Sequence, residues 1–206
     1  MNSRRHLFRA GASIAAATAV ASVSKVAMAA LPGIVSQDSP ATMPPLEPST
    51  GRPYKPVVTL NGWTLPWQMN NGVKEFHLVA EPVERMVADD FKAHLWGYNG
   101  QSPGPTIEVV EGDKVRIFVT NRLPEHTSVH WHGQRLPNGM DGVTGLNQPG
   151  IPAGKTFVYE FQARRPGTFM YHPHGDEMTQ MAMGMMGFWV THPRRKTNLI
   201  DDVDRD

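Results

Sequence analysis

Between residues 74 and 192 the sequence is cut into short runs rich in β-branched and aromatic residues, each bounded by turn-forming residues. The runs are KEFHLVAEPV, FKAHLWGYNG, PTIEVVEGDKVRIFVTN, SVHWHG, KTFVYEFQA, GTFMYHPH and GFWVTH. Such runs read as strands. In the third, Val115, Ile117 and Val119 alternate with Arg116, Phe118 and Thr120, the period of a strand with two unlike faces. EGD marks a turn between two strands, and NQPGIPAGK a turn-rich connection. Strands at this spacing predict an all-β fold, a Greek-key β-barrel or sandwich. One short helix is expected over GDEMTQMAMG, where Met178, Met181 and Met185 recur at helical spacing.

The flanks are different. A twin arginine, Arg4 and Arg5, precedes an alanine-rich apolar run and then AMAA, with Ala27 and Ala29 at small-residue cleavage positions. Residues 1–29 therefore read as a twin-arginine signal peptide, a route that exports folded proteins, and imply a periplasmic product. The apolar run is too short for a membrane span. The prolines at 32, 40, 44, 45, 48, 53 and 56 make residues 30–56 an extended leader that lacks amide donors for sheet or helix. The folded domain is expected over 57–193, and 194–206 reads as a polar tail. Removing residues 1–29 takes away Arg4, Arg5, Arg9 and Lys25, leaving 16 basic against 19 acidic residues, net −3 where the whole chain carries +1. The basic balance belongs to the signal, and no basic patch interleaved with aromatics suggests nucleic acid.

Two segments carry the chemistry. VHWHG holds His130 and His132, and MYHPHG holds His172 and His174. Residues i and i+2 of a strand share a face about 6.5–7 Å apart, so each pair presents two imidazoles together, with Trp131 turned to the opposite face. Two such strands facing each other would bring all four to one point. A lone histidine is ordinarily a hydrogen-bonded core or surface residue, but two pairs, each followed by glycine, point to a metal. The chain has no cysteine, which excludes disulfides and thiolate sites. Neutral imidazoles without clustered carboxylates then favour copper or zinc. A phosphate-binding Lys-Ser/Thr loop, H-E-x-x-H, a nucleophile elbow and C-x-x-C are all missing. A cupin would want a glutamate three or four residues after His132, where Arg135 and Leu136 stand.

NGQSPGPTIEVVEGDKVRIFVTN, VHWHGQ, MDGVTGLNQPGIPAGKTFVYEF and PGTFMYHPHG closely resemble the first cupredoxin (plastocyanin-like) domain of bacterial multicopper oxidases, the laccase and copper-oxidase group. The resemblance covers about Phe91 to Pro193 and implies a Greek-key barrel. It further implies copper as cofactor, with His130 on the type 2 ion and His132, His172 and His174 on the type 3 pair of a trinuclear site. O2 and a reducing substrate would be the partners of the completed oxidase. Asp141, after the first pair, would stand behind the ligands and assist proton delivery, although Asp before Gly142 is also an ordinary turn former. In the family the other half of the site is His-x-x-His-x-His and His-Cys-His of the last domain, whose cysteine also holds the type 1 copper. Neither motif occurs here. These residues are therefore expected to form a half-site without a type 1 centre, completed by another cupredoxin domain or chain, and not to act as an oxidase alone.

The alternatives are a stand-alone periplasmic copper-buffering protein, a truncated oxidase fragment, and a mononuclear zinc or copper hydrolase. Met178, Met181, Met183, Met185 and Met186 could serve Cu(I), but methionines at helical spacing are expected as core filler. His77, His94 and His192 are expected to be structural. His126, just before the first pair, is a weaker candidate for an auxiliary ligand.

Overall fold

The protein is described here by a computed structural model covering residues 34–35, 57 and 63–194. The expected signal peptide, most of the expected leader and the expected tail after Arg194 lie outside these described residues.

Among the described residues, ten strands form two mixed sheets, as the all-β expectation required. They are β1 (Ile34–Val35), β2 (Trp67–Asn70), β3 (Val73–Ala88), β4 (Phe91–Tyr98), β5 (Gly104–Val110), β6 (Lys114–Asn121), β7 (His130–His132), β8 (Thr156–Gln162), β9 (Gly167–His172) and β10 (Gly187–His192). The larger sheet runs β1-β8-β6-β3-β2, with β4 also paired to β3, and the smaller runs β5-β10-β9-β7. The chain crosses between sheets after β4, β5, β6, β7 and β8, so EGD joins two layers and is not a hairpin turn. Within the leader, Ile34–Val35 pairs antiparallel with Phe157 and Thr156 of β8. That two-residue stretch keeps its amides because Pro32 and Pro40 lie outside it.

Alternation sets the core. Val115, Ile117 and Val119 of β6 are fully buried, and they meet Phe76 and Leu78, Ile107 and Val109, and Tyr159 and Phe161. β5 is buried along its whole length, so no alternation is visible in its sequence. At the EGD turn, Asp113 accepts the Val110 amide at 2.9 Å and forms an ion pair with the buried Lys74. Burial lowers the Lys74 pKa despite that partner. The Lys74 ammonium also lies 4.6 Å over the Trp67 ring, so this charge is compensated inside the sheet rather than left bare.

The aromatic residues beside the histidines occupy the centre. Trp131 packs edge-on to Tyr159 at 5.2 Å and Trp189 at 5.5 Å between ring centroids, and lies 6.1 Å from Tyr171. The Tyr171 hydroxyl donates to the Pro105 carbonyl at 2.6 Å. A Cβ at Gly104 or Gly187 would collide with this hydroxyl, which is why glycine stands at both places. Trp131 and Tyr171 are register partners on β7 and β9, so their packing holds the two strands in step.

Trp131→Ala is expected to lower the unfolding free energy by about 3–5 kcal/mol, measured by urea denaturation. A loss below about 1 kcal/mol would show that this ring does not anchor the core.

Candidate metal centre

β7 and β9 are antiparallel neighbours, with His130 opposite His172, Trp131 opposite Tyr171, and His132 opposite Met170. The aromatic pair faces inward, so the flanking imidazoles of His130, His132 and His172 share the other face. The strands therefore bring the histidines together side by side in one sheet, not across two facing strands. β9 ends at His172, so His174 does not occupy the expected strand position. Pro173 has no amide hydrogen, and the ladder stops there. His174 is held instead by its own amide on Ser128 Oγ at 3.3 Å and by its carbonyl, which accepts from Thr144 N at 3.3 Å.

The rings crowd around His130. Its centroid is 5.6 Å from His132, 5.2 Å from His172 and 5.5 Å from His174. One ligand atom from each of His130, His132 and His172 lies within 4.8 Å of the others. His172 is buried, His130 and His174 are half-buried, and His132 is exposed, so the cluster opens to solvent on one side.

Hydrogen bonds fix two tautomers. His130 Nδ1 lies 2.7 Å from the Asp141 carbonyl oxygen. A carbonyl only accepts, so Nδ1 carries the proton and Nε2 keeps its lone pair. His172 Nδ1 likewise donates to the Pro173 carbonyl at 2.9 Å, which Pro173 leaves outside the ladder. His172 Nε2 then faces His132 Nδ1 at 3.2 Å. Burial, foremost, lowers the His172 pKa, with His130 and His132 adding to the effect, which favours the neutral, ligating form. A separation of 3.2 Å fits two nitrogens bonded to one ion at about 2.0–2.1 Å each. The donor set and its spacing therefore fit a first-row metal that accepts imidazole, copper included.

Two carboxylates stand behind the rings. Asp141 follows a short 3-10 turn, Asn138–Met140, and its Oδ1 is 3.4 Å from His130 Nδ1. Gly142, at φ +82°, lets this loop lie against the Val129 carbonyl, where a Cβ would collide. Glu177 was not singled out by sequence. Its carboxylate is 3.5 Å from His174 Nε2 and 3.8 Å from His172 Nδ1. The available signal was its i, i+3 spacing from His174 across the start of a helix.

That helix, α1 (Glu177–Ala182), forms where expected, with the Asp176 side chain accepting the Thr179 amide. Its buried residue is Gln180, while Met178 is 88% exposed and does not fill the core. Met185, just past the helix, is buried as expected. The Gln180 amide donates to Glu125 Oε1 at 2.7 Å and the His126 carbonyl at 2.9 Å, and accepts from Thr127 Oγ1 at 2.6 Å. It ties α1 to the segment that enters β7.

The remaining histidines stand apart. His77 stacks on Phe118 at 4.6 Å, and burial pushes its pKa down to about 4. His192 contacts the buried Glu108 at 2.9 Å, and His94 lies 3.3 Å from Glu84. The His126 ring is exposed and lies against the backbone of Gly150 and Gly175. None joins the three-histidine group found among the described residues.

Comparison with known proteins places this geometry in context. The sequence profile of a family described as "Multicopper oxidase" matches residues 80–196. Copper resistance protein A of Escherichia coli is 50% identical over 76 residues, 37% of this chain and 13% of that protein. Laccase-1 of Agaricus bisporus is 39% identical over 129 residues, 58% of this chain and 24% of that protein. The crystal structure of a multi-copper oxidase from Pseudomonas thermotolerans superposes with a TM-score of 0.60 at 35% identity, over 62% of this chain and 31% of the other. The fold is thus the cupredoxin-like one that the motifs implied. The chain spans only about an eighth to a quarter of the length of these curated relatives. No helix among the described residues is long and apolar enough to cross a membrane.

Gln180→Leu is expected to destabilise the protein by about 1–3 kcal/mol, because it strips partners from the buried Thr127 hydroxyl and from Glu125. Unchanged denaturant unfolding would show that this link contributes nothing.

Proposed function

Since the chain belongs to the multicopper oxidase family, we propose that its cupredoxin domain supplies half of the ligands of a trinuclear copper site. The observation that carries this reading is the pairing of His130 with His172 and, beside it, the approach of His132 Nδ1 to His172 Nε2 at 3.2 Å. His130 serves the type 2 ion, and His132, His172 and His174 serve the type 3 pair. The other ligands, and the cysteine through which electrons enter, come from a further cupredoxin domain, on the same longer polypeptide or on another. The exposed ring of His132 leaves the cluster open for such a partner. The greater length of the relatives supports the same division.

Copper held there supplies the redox chemistry that reduces O2 to water at the expense of a reducing substrate. The chain's own residues do the positioning. The Asp141 carbonyl fixes the His130 ring and its tautomer, as the Pro173 carbonyl does for His172, and such outer partners orient ligands and raise their basicity. The Asp141 and Glu177 carboxylates are partly exposed, so each can exchange protons with water beside the ligands. The twin-arginine signal gives export to the periplasm with the fold already formed.

The test is made on the chain assembled with the rest of such an oxidase. His130→Ala and His174→Ala are each expected to lower copper content and abolish O2 uptake with a phenolic reductant, while His77→Ala leaves both unchanged. Equal copper content in all three variants would overturn the site assignment.

A further inference from the structure

The four histidines are not equivalent in this chain. Three of them offer ligand atoms within 4.8 Å of one another, and His174 is outside that group. Resting on the copper-site reading above, we infer that the chain by itself binds a single divalent first-row cation through His130 Nε2, His132 Nδ1 and His172 Nε2, with His174 held in reserve for the assembled site.

Hydrogen bonding selects these atoms. His130 and His172 each spend Nδ1–H on a backbone carbonyl, of Asp141 at 2.7 Å and Pro173 at 2.9 Å. Each is left with Nε2 as its only lone pair. His132 Nδ1 already points at His172 Nε2, 3.2 Å away. With His172 Nε2 as acceptor, the metal-free form has the proton on His132 Nδ1. Metal binding needs only that this proton move to Nε2 of the same exposed ring, where the N–H donates a hydrogen bond to water. No proton is lost from the site and no ring must turn over. Ligand atoms on one ion at about 2.0–2.1 Å lie within about 4 Å of each other. The 4.8 Å limit of the group therefore closes with shifts below about 1 Å.

His174 is drawn the other way. Its centroid is 6.1 Å from His172, its Nε2 is 3.5 Å from Glu177, and its backbone is tied to Ser128 and Thr144. The glutamate and the two backbone bonds hold it beside the group rather than in it. The carboxylates of Asp141, 3.4 Å from His130, and of Glu177, 3.8 Å from His172, offset the charge of a divalent ion bound to neutral imidazoles. Of the first-row divalent ions, Cu2+ binds such a nitrogen set most tightly.

Titration of the metal-free full chain with Cu2+ tests this, with bound copper counted after desalting and electron paramagnetic resonance recorded on the same samples. One copper per chain is expected, all of it visible as isolated Cu2+. His132→Ala should weaken binding by more than about tenfold, the scale reached by loss of even an outer partner of a metal site. His174→Ala should stay within about threefold of the parent. Both side chains sit at the solvent side of the cluster, so neither change empties the core. Two coppers per chain, a spectroscopically silent pair, or equal loss in the two variants would overturn the inference and leave the copper site standing. Full copper retention in His130→Ala, His132→Ala and His174→Ala alike would overturn the copper site itself, and this inference with it.

Discussion

The pairing of β7 with β9 is the contact on which the candidate centre depends. Antiparallel register places His130 against His172 and Trp131 against Tyr171, and the two-residue period of a strand then separates chemistry from packing. Imidazoles stand on one face and aromatic rings on the other. The aromatic side meets Tyr159 and Trp189, and Tyr171 is closed in by glycines at 104 and 187. A slip of one residue would send the imidazoles into this core and the aromatic rings to the surface. Aromatic pairs of this kind add about 0.5–1.5 kcal/mol each beyond the area they bury, so the register is held by the best-packed part of the molecule.

The cluster is preorganised by backbone more than by side chains. Carbonyls of Asp141 and Pro173 hold two ring orientations, and a backbone carbonyl has no rotamers to lose. The proline between His172 and His174 has a double effect. It ends the ladder, which releases the carbonyl that His172 uses, and it lets His174 leave the line of the strand. Gln180 then joins the helix that carries Glu177 to the segment that leads into β7. The two histidine segments are thus fastened at both ends, by the sheet and by this amide.

Much of this was legible in the sequence. The alternation in KVRIFVTN located β6 and its buried face, and the doubled His-x-His marked the residues that the sheet gathers. Partners were not legible. β3 pairs in parallel with β6, and β10 with β5, and no local pattern announces a parallel neighbour distant in the chain. Strand period also carried the second pair too far. His-x-His implied two residues on one strand, whereas the missing amide of Pro173 ends that strand at His172. The methionine spacing located α1 but not its buried side. Gln180 is buried because the facing segment offers a hydroxyl, a carboxylate and a carbonyl, a polar partner that a hydrophobic pattern cannot register. Glu177 has no local signature for a related reason, since its place beside His172 and His174 depends on how the chain turns after His174.

The most direct measurement is X-ray diffraction from copper-loaded crystals of the chain, with anomalous differences collected at the copper edge. The account predicts an anomalous peak between His132 Nδ1 and His172 Nε2, within bonding distance of both. A peak elsewhere, at the methionines around α1 or beside His126, with none among these imidazoles, would contradict it.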